Sequence, residues 1–164
     1  MASFKPETDT KAFRNALGRF ATGVTVITAN GPDGPIGMTA NSFTSLSLEP
    51  ALVMWSPAKK SSRYEAFVNA PHFAIHILAH DQKEICNAFA RSKSAFDQFE
   101  VTHNLHDVPV FSGCLAVFEC KRFAVHDAGD HSIIVGEVEF TQEREGTGLV
   151  FSQGAFGAIN PLQA

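Results

Sequence analysis

The sequence predicts a mainly β fold, a Greek-key or split β-barrel with a few short helices. Stretches of alternating or β-branched apolar residues recur along the chain, and turns rich in Gly and Pro separate them. The strands do not alternate with helices as they would in a parallel α/β fold. The chain has 164 residues, 45% of them hydrophobic, which suffices for one domain with its own core. We expect a single domain over residues 1–164, in which residues 1–8 form a loose N-terminal arm.

A short amphipathic helix is predicted near the start of the chain, before Gly23. Its apolar residues recur at helical spacing and are Phe13, Ala16, Leu17 and Phe20. Three side chains that commonly cap helices precede them, namely Thr8, Asp9 and Thr10.

Strands account for most of the remaining chain. The first two form a hairpin around the turn Gly31–Pro35. In sequence order, the predicted strands cover residues 24–29, 36–40, 51–55, 73–78, 115–125, 133–144 and 149–151.

Two further helices interrupt these strands. One begins at Ser62, because Ser62 and Glu65 have the spacing of a capping box. The other begins at Asp81 and places Ile85 and Phe89 on one face.

The composition argues against several classes of function. A net charge of -4 and a pI near 5.9 disfavour nucleic acid or an anionic membrane as the main partner. No segment is apolar enough to span a bilayer, and the N-terminus lacks the hydrophobic stretch of a signal peptide. Cys86, Cys114 and Cys120 form no CxxC motif, so we expect inert buried thiols in a cytoplasmic protein.

Common cofactor motifs are absent, and no metal site is predicted. The sequence has no GxxxxGKS/T loop, no GxGxxG between a strand and a helix, and no GxSxG. His72, His76 and His80 recur every four residues, but in a strand this spacing separates them by about 13 Å, too far to share an ion. His103 and His106 lie in a polar stretch that predicts a solvated loop.

The first candidate for chemistry is the polar segment, residues 37–45, with the sequence Gly-Met-Thr-Ala-Asn-Ser-Phe-Thr-Ser. Its small, hydroxylated residues let backbone N–H groups and short side chains approach a flat polar ligand closely. A flavin presents such a polar edge, and donors near it stabilise the reduced ring. The alternative is a Ser/Thr-rich turn between two strands.

The second candidate is the basic loop, residues 56–63, with the sequence Ser-Pro-Ala-Lys-Lys-Ser-Ser-Arg. It follows a predicted strand and opens a predicted helix. Free N–H groups, hydroxyls and three cations make it the best candidate for binding a phosphate. The alternative is a capped helix with a solvated basic first turn.

The third candidate is the histidine turn, Gly129-Asp130-His131, which enters the strand at residues 133–144. A histidine at a strand start can lie over the mouth of a pocket, where it could contact the carboxamide or ribose of a nicotinamide. The alternative is an exposed histidine in a turn.

Together these segments resemble the short-chain flavin reductase family, also called the flavin reductase-like, FMN-binding split-barrel family. The resemblance covers about residues 10–156, with the matching motifs in the same order and spacing. They are Arg19-Phe20-Ala21-Thr22-Gly23-Val24-Thr25-Val26-Ile27-Thr28, residues 37–47, Leu48-Glu49-Pro50, Lys60-Ser61-Ser62-Arg63, Phe89-Ala90, Gly129-Asp130-His131 and Gly136-Glu137-Val138.

The resemblance implies a six-stranded split barrel that forms a homodimer, with FMN or FAD at each subunit boundary. It implies hydride transfer from NADH or NADPH to the flavin, and a separate oxygenase that receives the reduced flavin. His131 is then expected to position the nicotinamide. The residues expected to bind the flavin are Met38, Thr39, Ala40, Asn41, Ser42, Ser56, Lys60, Ser61, Ser62, Arg63 and Phe89.

The chain departs from the family pattern in two places. Residues 75–78 are Ile-His-Ile-Leu where relatives have Val-Asn-Val-Leu, and residues 151–154 are Phe-Ser-Gln-Gly where relatives carry an aromatic or His followed by Arg. Two alternative functions remain open. One is a flavin-binding electron carrier without rapid NADH turnover, and the other is an enzyme like pyridoxamine-phosphate oxidase on the same barrel.

Overall fold

The computed structural model describes residues 3–159, so residues 1 and 2 of the predicted arm lie outside the described residues. Strands dominate this part of the chain, as predicted. The helices are α1 (Thr10–Leu17), α2 (Tyr64–Asn69) and α3 (Lys83–Arg91), followed by a 3-10 turn at Ala95–Gln98. The strands are β1 (Thr22–Gly23), β2 (Thr25–Gly31), β3 (Gly34–Ala40), β4 (Thr44–Leu48), β5 (Ala51–Trp55), β6 (His72–Ile77), β7 (Val101–His103), β8 (Pro109–Phe111), β9 (Ala116–Ala128), β10 (His131–Glu143), β11 (Leu149–Ser152) and β12 (Ala155–Ala158).

The centre of the fold is a seven-stranded antiparallel sheet with the order β3-β2-β6-β9-β10-β5-β4. The resemblance implied six strands, and the structure has the short edge strand β4 in addition. A three-stranded sheet, β1-β11-β12, and the hairpin β7-β8 complete the strands of the described residues.

Both faces of the central sheet are covered at β2, which is why this strand is buried along most of its length. Val26 packs with α3 and the β7-β8 hairpin on the outer face, whereas the adjacent Ile27 packs inside the barrel against Trp55 and Phe73. A cluster of aromatic rings fills the outer layer and is formed by Phe89, Phe96, Phe99 and Phe111.

A close approach inside the barrel explains the glycine at position 136. A Cβ built there would lie 2.6 Å from Phe73 and 2.9 Å from the Cβ of Cys120. Because β10 must pass close to these side chains, only a residue without a side chain fits.

The start of α1 agrees with the sequence, but this helix ends at Leu17, before the predicted Phe20, and the other two helices begin later than predicted. Asp9 caps α1, with its Oδ1 accepting from the backbone N–H of Ala12 at 2.8 Å. The second helix begins at Tyr64 rather than Ser62, because residues 61–63 form a turn in which the N–H of Tyr64 donates to the carbonyl of Ser61. The predicted capping box is therefore absent from this part of the chain.

The third helix begins at Lys83, two residues after the predicted start at Asp81. The Gln82 side chain instead joins the preceding loop to the β8 region. Its Oε1 accepts from the N–H of Ala79 at 3.0 Å, and its Nε2 donates to the carbonyl of Ser112 at 3.1 Å. Within residues 3–159, no helix is long and apolar enough to cross a membrane.

Candidate functional site

The three segments selected from the sequence contact one another in the fold. The N–H of Ser56 donates to Oγ of Ser42 at 2.9 Å, which joins the polar segment to the start of the basic loop. Ala58 forms a β-bridge with His131, and the N–H of Lys59 donates to the carbonyl of Asp130 at 2.9 Å. The polar segment, the basic loop and the histidine turn therefore form one continuous site.

The polar segment begins on β3, which is an edge strand of the central sheet. The N–H of Gly37 points away from β2 and donates to the carbonyl of Lys93 at 2.8 Å. Because backbone groups alternate along an antiparallel strand, the N–H and carbonyl of Thr39 also point away from β2. An edge that presents backbone donors and acceptors side by side matches the polar edge of a flavin.

Side-chain hydroxyls of the polar segment are largely used within the protein. Oγ1 of Thr39 donates to the carbonyl of Cys86 at 2.7 Å, which fixes α3 against β3. Met38 packs against the barrel interior, whereas Asn41 is exposed. The segment therefore offers a ligand mainly its backbone and the amide of Asn41.

A pocket of about 220 Å³ opens beside this edge. Small ligands are usually enclosed in pockets of about 300–1,000 Å³, so one chain encloses only part of a molecule the size of a flavin. Its lining includes Thr39, Ala40 and Asn41, together with residues that the sequence did not single out as flavin contacts: Val24, Cys86, Asn87, Ala90, Phe151 and Phe156.

The donors of the basic loop come from a turn rather than from a helix start. Oγ of Ser61 accepts from the N–H of Arg63 at 3.2 Å, while Lys60 and Ser62 are exposed. Two hydroxyls and an ammonium are therefore close in sequence at the surface of an acidic chain. This donor set fits a phosphate.

Arg63 lies half-buried beneath the loop and is partly engaged with the protein. Its Nη1 donates to the carbonyl of Gly37 at 3.1 Å and to that of Phe89 at 2.6 Å. Burial lowers the pKa of the guanidinium, which nevertheless remains charged at neutral pH. Arg63 thus ties the basic loop to β3 and α3, and its other N–H groups can still meet an anion.

Phe89 does not face the site as the resemblance implied. Its ring is fully buried in the outer aromatic cluster and packs so closely on Gly37 that a Cβ there would lie 2.3 Å from it. The ring has no surface for a ligand, and Phe89 contributes to the site by accepting the Arg63 hydrogen bond with its carbonyl.

His131 is partly exposed and held by its neighbour in the turn. Its Nδ1 lies 2.7 Å from Oδ1 of Asp130. An ionised carboxylate only accepts, so Nδ1 carries the proton and donates, which leaves Nε2 for a ligand. This hydrogen bond and the charge of His131 hold the pKa of Asp130 below its usual value.

Lys59 anchors the histidine turn, a role that sequence reasoning missed. Its Nζ contacts the Asp127 carboxylate and donates to the carbonyl of Gly129 at 2.7 Å. The hydrogen bond to Asp127 raises the pKa of Lys59. The sequence did not indicate this ion pair, because Asp127 lies on β9, far from Lys59 along the chain.

The cysteines take no part in this chemistry. All three are buried free thiols, and burial raises the pKa of Cys114 to about 11 and that of Cys120 to about 12. Cys86 has a raised pKa for the same reason. The thiols are buried as the sequence predicted, and burial disfavours the reactive thiolate.

The comparisons with known proteins identify the family of this chain. Residues 17–160 match the family model described as the flavin reductase like domain. The chain belongs to the flavin reductase like family. This membership confirms the expectation of an NAD(P)H-dependent flavin reductase.

Relatives of this flavin reductase cover nearly its whole length. It is 58% identical over 152 residues to the FMN reductase (NADH) SmoA of Agrobacterium fabrum, covering 93% of this chain and 87% of that protein. It is 37% identical over 155 residues to HsaB of Rhodococcus jostii, the reductase subunit of a flavin-dependent monooxygenase, covering 93% of this chain and 80% of that protein.

A solved structure supports the predicted split barrel. The NADH:FAD oxidoreductase SgcE6 of Streptomyces globisporus C-1027, in complex with NAD and FAD fragments, superposes with a TM-score of 0.90 at 35% identity. The match covers 98% of each chain. This flavin reductase therefore has the split-barrel fold that the sequence predicted.

Proposed function

We propose that this flavin reductase binds FMN between two copies of the chain, reduces it with NADH and supplies the reduced flavin to a separate oxygenase. The observation that carries the proposal is the union of the polar segment, the basic loop and the histidine turn in one site. FMN and NADH are chosen because SmoA, the relative that is 58% identical, is an FMN reductase (NADH).

The residues of the site are suited to hold FMN. The backbone of Thr39 and the amide of Asn41 are expected to meet the polar edge of the ring. Lys60, Ser61 and Ser62 are expected to bind the phosphate, and Arg63 to hold their loop in place and add a charge. When bound, the flavin accepts a hydride from reduced nicotinamide.

His131 is expected to position the nicotinamide. Since Nδ1 donates to Asp130, Nε2 of His131 remains available to form a hydrogen bond with the carboxamide of a nicotinamide. The protein supplies no covalent nucleophile. It works by fixing the two ligands in a reactive orientation and excluding water.

A second copy of the chain is expected to complete the flavin site. The pocket of about 220 Å³ encloses too little of a flavin for a single chain to bury the ring. The strand β4 begins within the polar segment and continues past its end, and it carries two exposed apolar residues, Leu46 (50%) and Leu48 (92%). Apolar residues beside a half-open site indicate that a partner covers them, and a two-fold dimer is the commonest assembly.

The oxygenase partner and the cytoplasmic location are further parts of the proposal. HsaB is the reductase subunit of a flavin-dependent monooxygenase. We propose that this chain likewise reduces the flavin and that a separate protein carries out the oxygenation. Three free thiols fit a reducing compartment.

A turnover assay tests the function. Purified protein is mixed with a small amount of FMN and an excess of NADH in air, and NADH oxidation is followed by its absorbance. We expect many turnovers per chain, because oxygen regenerates the flavin. Oxidation limited to one equivalent of bound flavin would instead identify an electron carrier. Oxidation of a pyridoxal-type ligand in place of NADH would identify an enzyme like pyridoxamine-phosphate oxidase.

A further inference from the structure

A cluster of metal-ligating side chains lies apart from the flavin site. His72 begins β6, His106 lies in the turn between β7 and β8, and Glu139 lies on β10. One nitrogen from each imidazole and one carboxylate oxygen all lie within 4.8 Å of one another. Nε2 of His106 is 3.4 Å from Oε2 of Glu139, and the rings of His72 and His106 stack with centroids 3.5 Å apart.

Two of these side chains, His72 and Glu139, lie on β6 and β10 of the central sheet, the strands on either side of β9. His72 pairs with Lys121 of β9. Glu139 lies between Val138 and Phe140, where the register of β10 against β9 shifts. Such a bulge redirects a side chain, so Glu139 can reach across the face of the sheet toward β6.

The third ligand is held over the sheet by a well-bonded turn. Oδ1 of Asn104 accepts from the N–H groups of His106 and Val108, both at 3.0 Å. Nδ2 of Asn30 on β2 donates to the carbonyl of Asp107 at 2.9 Å, which joins the turn to the sheet. The backbone at His106 is therefore fixed before any ligand binds.

The donor atoms of the cluster are of the kind that binds a transition metal. Two imidazoles and one carboxylate are a donor set of zinc and its neighbours among the divalent transition metals.

We propose that His72, His106 and Glu139 bind a divalent transition metal, with zinc as the representative ion. The ion would link the β7-β8 turn to the central sheet. Three protein ligands leave one position of a tetrahedral site for water. The rings must rotate out of their stacked arrangement to direct both nitrogens at one ion, and the exposure of His106 and Glu139 permits this.

The position of the cluster indicates a structural role. His72 lies at the start of β6, whereas Ile77 at its other end pairs with Thr25, which in turn pairs with Ala40 of the polar segment. The cluster and the polar segment are therefore at opposite ends of these strands, and Glu139 is well separated from His131 along β10. The ion is expected to raise thermal stability and to leave turnover unchanged.

Metal titration of the full chain tests the proposal. Protein without an affinity tag is stripped with a chelator and titrated with Zn²⁺ by calorimetry, and with Co²⁺ by visible absorption. We expect one ion per chain and a higher Tm with Zn²⁺. His72→Gln and His106→Gln are each expected to weaken Zn²⁺ binding at least about tenfold, since even outer-shell losses cost about 10–100-fold.

The matched control is His103→Gln, because His103 is an exposed histidine on β7 outside the cluster. This variant should bind Zn²⁺ as the unchanged chain does. Circular dichroism of the metal-free variants checks their folding, and Glu139→Gln on the exposed side of the cluster replaces any histidine variant that fails to fold. Absence of a one-to-one complex, or equal binding in the His106→Gln and His103→Gln proteins, would overturn the proposal.

Discussion

At the scale of single residues, His76 makes the stability of the protein sensitive to acid. It is fully buried, and Nε2 accepts from the N–H of Phe111 at 3.2 Å. Nδ1 must then carry the proton and donates to the carbonyl of Val26 at 2.9 Å. Burial lowers the pKa of His76 to about 4, so the folded chain holds this ring neutral over the range in which the unfolded chain protonates it.

The unfolded state therefore binds more protons than the folded state between about pH 4 and pH 6.5 at this residue, and stability falls as the pH falls through that window. We expect the free energy of unfolding to drop by about 2 kcal/mol from pH 7 to pH 5 because of His76. Urea unfolding at both pH values measures this. A His76→Gln variant should lose less stability over the same interval, and an equal loss would contradict the assignment.

His131 is the residue expected to affect NADH without affecting flavin. We expect His131→Ala to lower kcat/KM for NADH by about 10- to 100-fold, because the side chain orients the nicotinamide. FMN affinity should be retained, since the polar segment and the basic loop bind the flavin. Steady-state kinetics and an FMN titration separate the two effects.

The control for this substitution is His126→Ala, an exposed histidine of the same β9-β10 hairpin. It should leave both measurements unchanged. If kcat/KM for NADH of the His131→Ala enzyme stayed within about twofold of the unchanged enzyme, His131 would be only an exposed turn residue. A joint loss of FMN binding and Tm would make it structural.

At the scale of elements, the basic loop is expected to discriminate ligands by their phosphate. We expect Lys60→Ala combined with Ser61→Ala to weaken FMN binding at least tenfold, about 1.4 kcal/mol, because a charge and a hydroxyl are lost. Riboflavin lacks the phosphate and should bind almost unchanged. Fluorescence titration with both ligands tests this. An equal loss of affinity for FMN and riboflavin would show that the loop does not bind the phosphate.

Arg63→Ala should behave differently from that double variant. Arg63 donates to the carbonyls of Gly37 and Phe89, so its removal frees two carbonyl groups that join β3 to α3. We expect a lower Tm as well as weaker binding of both FMN and riboflavin. Selective loss of FMN with an unchanged Tm would show that Arg63 acts on the phosphate alone.

Many elements and the candidate residues of the site could be predicted from local patterns, but the short strands β1, β4, β7, β8 and β12 and the partners of the side chains could not. Alternating apolar residues and turn residues located β2, β3 and β5, and the hydroxyl-rich run located the polar segment. The Thr39 hydroxyl, however, donates to Cys86 on α3, a pairing that depends on how a helix packs on an edge strand. Likewise, His106 joins His72 only through the tertiary fold, so spacing along the chain gave no signal for that pair.

At the scale of the whole molecule, dimerisation is expected to be required for flavin binding. We expect light scattering to give twice the chain mass of 17.7 kDa. Leu46→Asp combined with Leu48→Asp should shift the protein toward monomer and weaken FMN binding, since charges on β4 oppose its burial by a partner. Leu105→Asp is the control, because Leu105 is 86% exposed in the distant β7-β8 turn. A stable monomer that binds FMN fully would refute the dimer.

The anchoring of the histidine turn by Lys59 has a thermodynamic consequence for the two ligands. The basic loop and the histidine turn share Ala58, Lys59 and their hydrogen bonds, so order imposed on one by a bound phosphate is imposed on the other. If FMN raises the affinity for a nicotinamide, the nicotinamide must raise the affinity for FMN by the same factor. We expect Lys59→Met to reduce this reciprocal factor toward unity, measured as the FMN Kd with and without oxidised NAD. A single lysine would thereby determine the size of this coupling between the two ligands. A large coupling favours the complex with both ligands bound, and a coupling near unity lets each ligand bind and leave independently.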